Sequence, residues 1–292
     1  MKQGLIILLC VSLAGLLSTN AAAQSASWQV PASVAAGNSL SIPTTGSGKA
    51  VVYIVGPGEV LRREVQLGES AVFAADEIHS AGYYTAVLVG PSSTETAELD
   101  ITPAAVPSQL SFLAKPSRLA VDQRNGISGV VYAFDSFDNL IVQPLQAGFA
   151  LSESGGAVRN QVATSRNGVA WIRLDSAPKA GKADFQVHVG NLMATRVVQQ
   201  VPGEPCNLRM SGRRMGDQVQ LQTDPLRDCS GNPVPDGTIV TFKETYGNDE
   251  TTVDVPLKRG VAQTSVPVRD GGVISVATGV VIGNEIRWGH GQ

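Results

Sequence analysis

The sequence predicts an all-β chain of three β-sandwich domains in series behind a removable leader. Three observations carry that expectation. One offset of 93 residues takes Asp135 to Asp228, Asn139 to Asn232 and Phe149 to Phe242, and a repeat of that length is one small sandwich. Short apolar stretches alternate with period two between turns, in a chain with 31 Gly and 16 Pro among 292 residues, as strands require. Helical periodicity is scarce, with one helical turn expected over residues 74–79.

Composition narrows the function classes. Hydrophobic residues make up 43% and charged residues 16% of the chain, too apolar for a disordered tail. The net charge of −3 and pI of about 5.7 leave no basic footprint, so neither nucleic acid nor an anionic membrane is an expected partner.

Residues 1–23 read as a signal peptide. Lys2 supplies the positive start, residues 5–17 the apolar core, and Ala21, Ala22 and Ala23 the small residues before cleavage near Ala23 and Gln24. That core is short for a bilayer span, and Cys10 lies inside it rather than at its end, which argues against lipidation. No comparable apolar run follows, so the mature chain is expected to be secreted or periplasmic with no membrane span. Only Cys206 and Cys229 then remain, and a pair in an exported chain reads as a disulfide. Cys206 opens the first strand of the last domain and Cys229 lies just past the second; antiparallel neighbours bring those ends together. Closing that loop contributes about 3 kcal/mol.

The domains are expected at 24–104, 105–203 and 204–292. In the first, residues 40–42, 50–55, 60–65 and 71–73 are strand candidates. Residues 81–90 are the strongest, with Tyr84, Ala86 and Leu88 on one face and Thr85, Val87 and Val89 on the other. Proline-bearing links at 102–108 and 201–205 are stiffer than Gly/Ser tethers. The second domain runs through strands at 110–113, 129–134, 147–151, 166–174, 185–189 and 194–200. Its organising stretch, 131–149, reads as a strand, a polar turn at 135–139 and a returning strand. Asn167 and Gly168 mark a tight turn, since both tolerate positive φ. The third domain echoes this at 258–262, 271–277 and 284–288.

The motif Asp228-x-x-Gly-Asn-Pro-Val-Pro-Asp-Gly-Thr-x-Val-x-Phe242, followed by Arg259, Gly260, Val261 and Ala262, resembles the bacterial immunoglobulin-like (Big-1-like) modules of invasin- and intimin-type adhesins. Residues Asp135, Asp138, Asn139, Phe149 and 167–170 match the same pattern without its Gly-Asn-Pro-Val turn. The likeness spans about residues 107–288, and the first domain shares only the strand pattern at 81–90. It implies three tandem immunoglobulin-like β-sandwiches serving as spacers or adhesive tips, and no catalytic residue.

Candidate sites are few. Asp135, Asp138 and Asn139 gather oxygen ligands of the kind Ca²⁺ takes; the preferred reading is an Asx turn satisfying backbone N–H groups. Residues 46–49 lack the earlier Gly and the following Ser or Thr of a phosphate loop and read as a solvated loop. His79, His188 and His290 share no catalytic or metal spacing, and no cofactor motif is found. Trp28, Trp171, Trp288, Tyr53, Tyr83 and Tyr84 could stack on sugars, though most occupy core-like positions. Tyr83 and Tyr84 are the binding candidates, because adjacent strand residues face opposite ways and one is exposed. Arg213 and Arg214 read as a solvated hairpin.

The expected function is an exported, non-enzymatic binding, adhesion or spacer protein whose partner is a protein or glycan at a cell surface. A polysaccharide-binding accessory protein and an enzyme with an interdomain site are the alternatives.

Overall fold

The computed structural model describes residues 26–153, 156–267 and 269–289. The leader at 1–23, Cys10 and His290 lie outside the described residues. The chain divides into two compact units, Met1–Thr102 and Pro103–Gln292.

The first unit holds β1 (Ser27–Trp28), β2 (Ser33–Ala35), β3 (Leu40–Thr45), β4 (Lys49–Gly56), β5 (Glu59–Gln66), β6 (Ser70–Phe73), β7 (Gly82–Val89) and β8 (Thr94–Thr102). They form two sheets, ordered β1-β3-β6 and β2-β8-β7-β4-β5. The alternation in β7 sends Tyr84, Ala86 and Leu88 inward, where they meet Ile42, Phe73 and Val52 in one apolar core. A single 3-10 turn, Ala75–Glu77, joins β6 to β7, at the position the sequence predicts for a helical turn. Both carboxylate oxygens of Glu77 accept from Arg63, at 2.7 and 2.6 Å, and Arg63 lies 5.2 Å over the Phe73 ring.

The second unit continues with β9 (Gln109–Lys115), β10 (Arg118–Ala120), β11 (Ile127–Phe134), β12 (Gln146–Glu153), β13 (Arg159–Thr164), β14 (Val169–Leu174), β15 (Gly181–Val189) and β16 (Leu192–Val201). Their sheets, β9-β11-β14 and β10-β16-β15-β12-β13, repeat the first unit strand for strand. Even the short parallel pairing recurs, β2 on β8 and β10 on β16. Phe112, Phe149 and Phe185 fill this core with ring centroids 5.2–6.1 Å apart.

The same unit then carries β17 (Met210–Met215), β18 (Gln218–Thr223), β19 (Ile239–Tyr246), β20 (Asp249–Pro256), β21 (Gln263–Pro267), β22 (Val273–Thr278) and β23 (Val281–Arg287). The orders β17-β18-β21 and β20-β19-β22-β23 match the earlier pairs without the short parallel strand. As Ser108 N–H donates to Phe134 O at 2.8 Å in the preceding sandwich, the Cys206 N–H donates to Arg227 O at 2.9 Å, and Cys206 is bonded to Cys229 with Cα atoms 5.0 Å apart. A third core gathers Leu221, Phe242, Ile274 and Trp288.

The offset seen in sequence is an offset in hydrogen bonding. Asp135 N–H donates to Asn139 O, and Asp228 N–H to Asn232 O, each at 3.0 Å. Asn167 and Gly168 both take positive φ, 50° and 81°, and the flanking Arg166 and Val169 exchange both backbone bonds. One expectation is corrected. The chain returns beside β11 only at Leu140 and Ile141, where Leu140 bridges Phe134 and Ile141 N–H donates to Ala133 O at 2.9 Å; the strand that follows does not stay there, since β11 pairs with β9 and β14, whereas β12 pairs with β13 and β15. The polar turn therefore starts a crossing between sheets, with Ile141 buried on the way.

Candidate functional site

Two places in the molecule concentrate functional side chains: a polar turn in the second unit, and one sheet face in the first.

Asp228 is 5% exposed and accepts from four donors. Its Oδ1 takes the N–H groups of Ser230 and Asn232 at 3.0 and 2.8 Å, while Oδ2 takes Gly203 N–H and the Asn232 amide at 2.9 and 3.0 Å. Thus oriented, Asn232 reaches out of its own sandwich. Its Nδ2 donates to Pro178 O at 2.7 Å and its Oδ1 accepts from Ala180 N–H at 2.8 Å. Both partners lie on the link between β14 and β15, and Ser230 meets Asp122 alongside. These bonds tie two cores of the second unit together, so Asn232 acts as a joint.

Asp135 repeats the arrangement. Its Oδ1 accepts from Phe137 and Asn139 N–H, both at 2.9 Å, and its Oδ2 from Ala104 N–H at 2.8 Å and the Asn139 amide at 2.9 Å. Asp138 stands in the left-handed region, φ 63°. The lone pairs of Asp135 are thereby directed at N–H donors, the arrangement of an Asx turn. Among the described residues no group of three or more His, Cys, Asp or Glu side chains could hold a metal ion.

Burial raises the proton affinity of both aspartates, but the N–H donors outweigh it and hold both carboxyls below their ordinary value. A depressed folded-state pKa stabilises the fold above the unfolded value, about 3.9 for Asp, and that stabilisation is lost as pH falls through the folded value. Calorimetry is expected to find the melting temperature of the second unit steady from neutral pH to about pH 5, and falling below about pH 4. Asp228→Asn should flatten that fall.

The first unit presents a different chemistry. β7 sends Tyr84 inward, 2% exposed, with its hydroxyl on Ser80 O at 3.0 Å and on Glu59; burial and the Glu59 carboxylate push its ionisation well above the usual range. Tyr83 faces out and is 87% exposed. The register aligns further apolar residues on that outer face. Tyr53 stands opposite Val87, Val51 opposite Val89 and Val55 opposite both Thr85 and Val60. Val55, Val60 and Val89 are all exposed. At the margin Arg62 donates to Glu64 at 2.7 Å, which lowers the Glu64 carboxyl and raises the Arg62 guanidinium. A water-facing antiparallel sheet is ordinarily polar, and Tyr with its amphipathic ring is enriched at binding surfaces.

The remaining aromatics separate. Trp288 is buried and Trp28 packs against the first core. Trp171 is 61% exposed, on the outer face of β14 beside Val130, which lies beside Leu113 on β9. Sequence reasoning missed that row, because residues 169–172 are apolar on both faces and alternation alone gives no parity. His79 and His188 are exposed and fall in different units, and residues 46–48 form a half-exposed turn between β3 and β4, which Lys49 opens. Arg213 and Arg214 sit near the end of the β17–β18 hairpin, Arg214 3.9 Å from Asp270.

Among the described residues no helix is long and apolar enough to cross a membrane. No family model matches the sequence, and no curated protein matches it. Solved structures do. The Escherichia coli adhesin FdeC superposes with a TM-score of 0.61 at 15% identity, over 87% of this chain and 91% of that one. Invasin, a bacterial integrin-binding protein, gives 0.48 at 10% identity, over 88% of this chain and 57% of that one. InvD of Yersinia pseudotuberculosis gives 0.48 at 12%, over 90% and 98%. The fold is the immunoglobulin-like one found in bacterial adhesins.

Proposed function

We propose, from an immunoglobulin-like fold shared with a bacterial adhesin, that this chain is an exported, non-enzymatic binding protein. Its three domains span 24–104, 105–203 and 204–292 and follow a signal peptide removed near Ala23 and Gln24. The first domain presents the ligand-binding face, and the two that follow serve as Big-1-like spacers. The observation that carries this reading is the outward row of Tyr83, Tyr53 and valines on a sheet face where polar residues are ordinary. Flat aromatic and aliphatic faces suit association with a protein or glycan at a cell surface, and they lack the convergent acid, base and nucleophile that catalysis needs.

The test is adhesion. Beads carrying the exported protein are expected to adhere to cultured epithelial cells above uncoated beads. Tyr83→Ala should reduce retention by about tenfold, as for a central aromatic contact, while changing stability by less than about 0.5 kcal/mol at so exposed a position. Adhesion equal to that of uncoated beads, or unaltered by Tyr83→Ala, would overturn the reading. A glycan array probed in parallel separates the polysaccharide-accessory role: retention there, lost with Tyr83→Ala, assigns a sugar rather than a protein ligand.

A further inference from the structure

Among the described residues β5 is the last strand of its sheet and is hydrogen-bonded only to β4, in continuous register from Lys49 opposite Gln66 to Gly56 opposite Glu59. Its other side leaves a row of N–H and C=O groups without strand partners. Sheet edges of this kind are usually blunted by short length, proline or a bulge. β5 has eight residues and neither proline nor a bulge; what guards it is charge, on Glu59, Arg62, Arg63 and Glu64. Beside it runs a groove of about 650 Å³ lined by Arg63, Val65, Gln66, Ser70 and Val72 among others.

The charges on this edge are self-complementary. We infer that β5 pairs antiparallel with β5 of a second copy of this chain, joining two five-stranded sheets into one. A continuous sheet keeps each outer face outward, so outer residues must stand opposite outer residues. Near-complete overlap then leaves two-fold centres at Arg62 or Arg63. A centre at Arg62 sets that cation against its own copy and Leu61 against Arg63. A centre at Arg63 sets Arg62 opposite Glu64 and Leu61 opposite Val65, each twice. Opposite charges and apolar pairs across strands are stabilising, and like charges destabilising. Arg63 itself meets its copy at the axis, but each guanidinium is already turned over Phe73 and held by both oxygens of Glu77.

The equivalent edges of the second unit lack this pattern. β20 carries Asp249, Glu250 and Asp254 with no cation to complement them in a second copy, and it ends on Pro256. β13 carries Arg159 alone among charged residues. Self-pairing is therefore a property of the first sandwich and not of the fold.

Sedimentation equilibrium on the exported full chain tests the pairing. A concentration-dependent dimer that weakens with added salt is expected. Arg62→Glu alone and Glu64→Arg alone each set like charges opposite one another twice, and each should weaken the dimer by about tenfold or more. The double exchange Arg62→Glu with Glu64→Arg restores complementarity and should recover the dimer. Unchanged melting temperatures in all three variants separate the effect from misfolding. A monomer at every concentration, a dimer indifferent to the single reversals, or a double exchange as weak as the singles would each overturn the inference.

Discussion

Replacing Asp228 with Ala is expected to destabilise the second unit by about 3–5 kcal/mol, because a buried carboxylate is removed from beneath four N–H donors. Gly203, Ser230 and the Asn232 backbone would each lose their acceptor, and the Asn232 amide would lose the group that aims it. The effect should extend beyond the turn. Asn232 would no longer be held toward Pro178 and Ala180, so the link between the two cores loosens with the loss of local stability. Denaturant titration of Asp228→Ala measures the first consequence. Limited proteolysis measures the second, as faster cleavage near residues 201–205. Asn232→Ala separates them: it spares the backbone donors to Asp228, so accelerated cleavage should come with a smaller stability loss. If Asp228→Ala costs less than about 0.5 kcal/mol, the range of an ordinary exposed site, the turn does not hold this region together.

Phe185→Ala is the second large effect. The ring is fully buried, it packs on Phe112 and Phe149, and truncating such a side chain costs about 3–5 kcal/mol. The site is also intolerant of added volume. A Cβ placed on Gly129 would lie 2.6 Å from Phe185 Cζ and 3.3 Å from a Phe112 ring carbon. Gly129→Ala is therefore expected to cost about 1–3 kcal/mol by overpacking. A smaller side chain at 185 should relieve it, so Gly129→Ala in a Phe185→Leu background should cost less than in the native chain. Additive losses across that double-mutant cycle would mean the glycine is required for some other reason.

The legible parts of this fold were those that depend on local chemistry. Asp135, Asn139 and Phe149 reappear as Asp228, Asn232 and Phe242 because both sets fill the same roles, namely an acceptor for turn N–H groups, its partner, and a buried ring. The turn at Asn167 and Gly168 was legible because few residues take positive φ. Alternation separated Tyr83 from Tyr84, which shares a face with Ala86 and Leu88, but the apolar residues on both faces left open which of the two is exposed. Less legible was whatever depends on neighbours distant in sequence. The first sandwich repeats the second strand for strand, yet its sequence shows only the pattern of β7. Its link from β3 to β4 is the short turn at residues 46–48, with no room for the aspartate-centred crossing that marks the other two. Partnering across sheets likewise escaped the sequence, as with the crossing after Asn139. So does Asn284, whose side chain accepts from Met210 N–H at 2.7 Å and donates to Met210 O at 3.0 Å, bridging β23 to β17.

Asn232 touches only main-chain atoms of the link it grips, one carbonyl and one N–H two residues apart. A contact of that kind is indifferent to which side chains the link carries, provided its path is kept. Pro178, with its fixed φ, helps keep that path, while Lys179 between the two contacted residues is exposed and free to change. The grip thus behaves as a generic coupling: the side chains of this link can diverge while the two cores of the second unit stay joined.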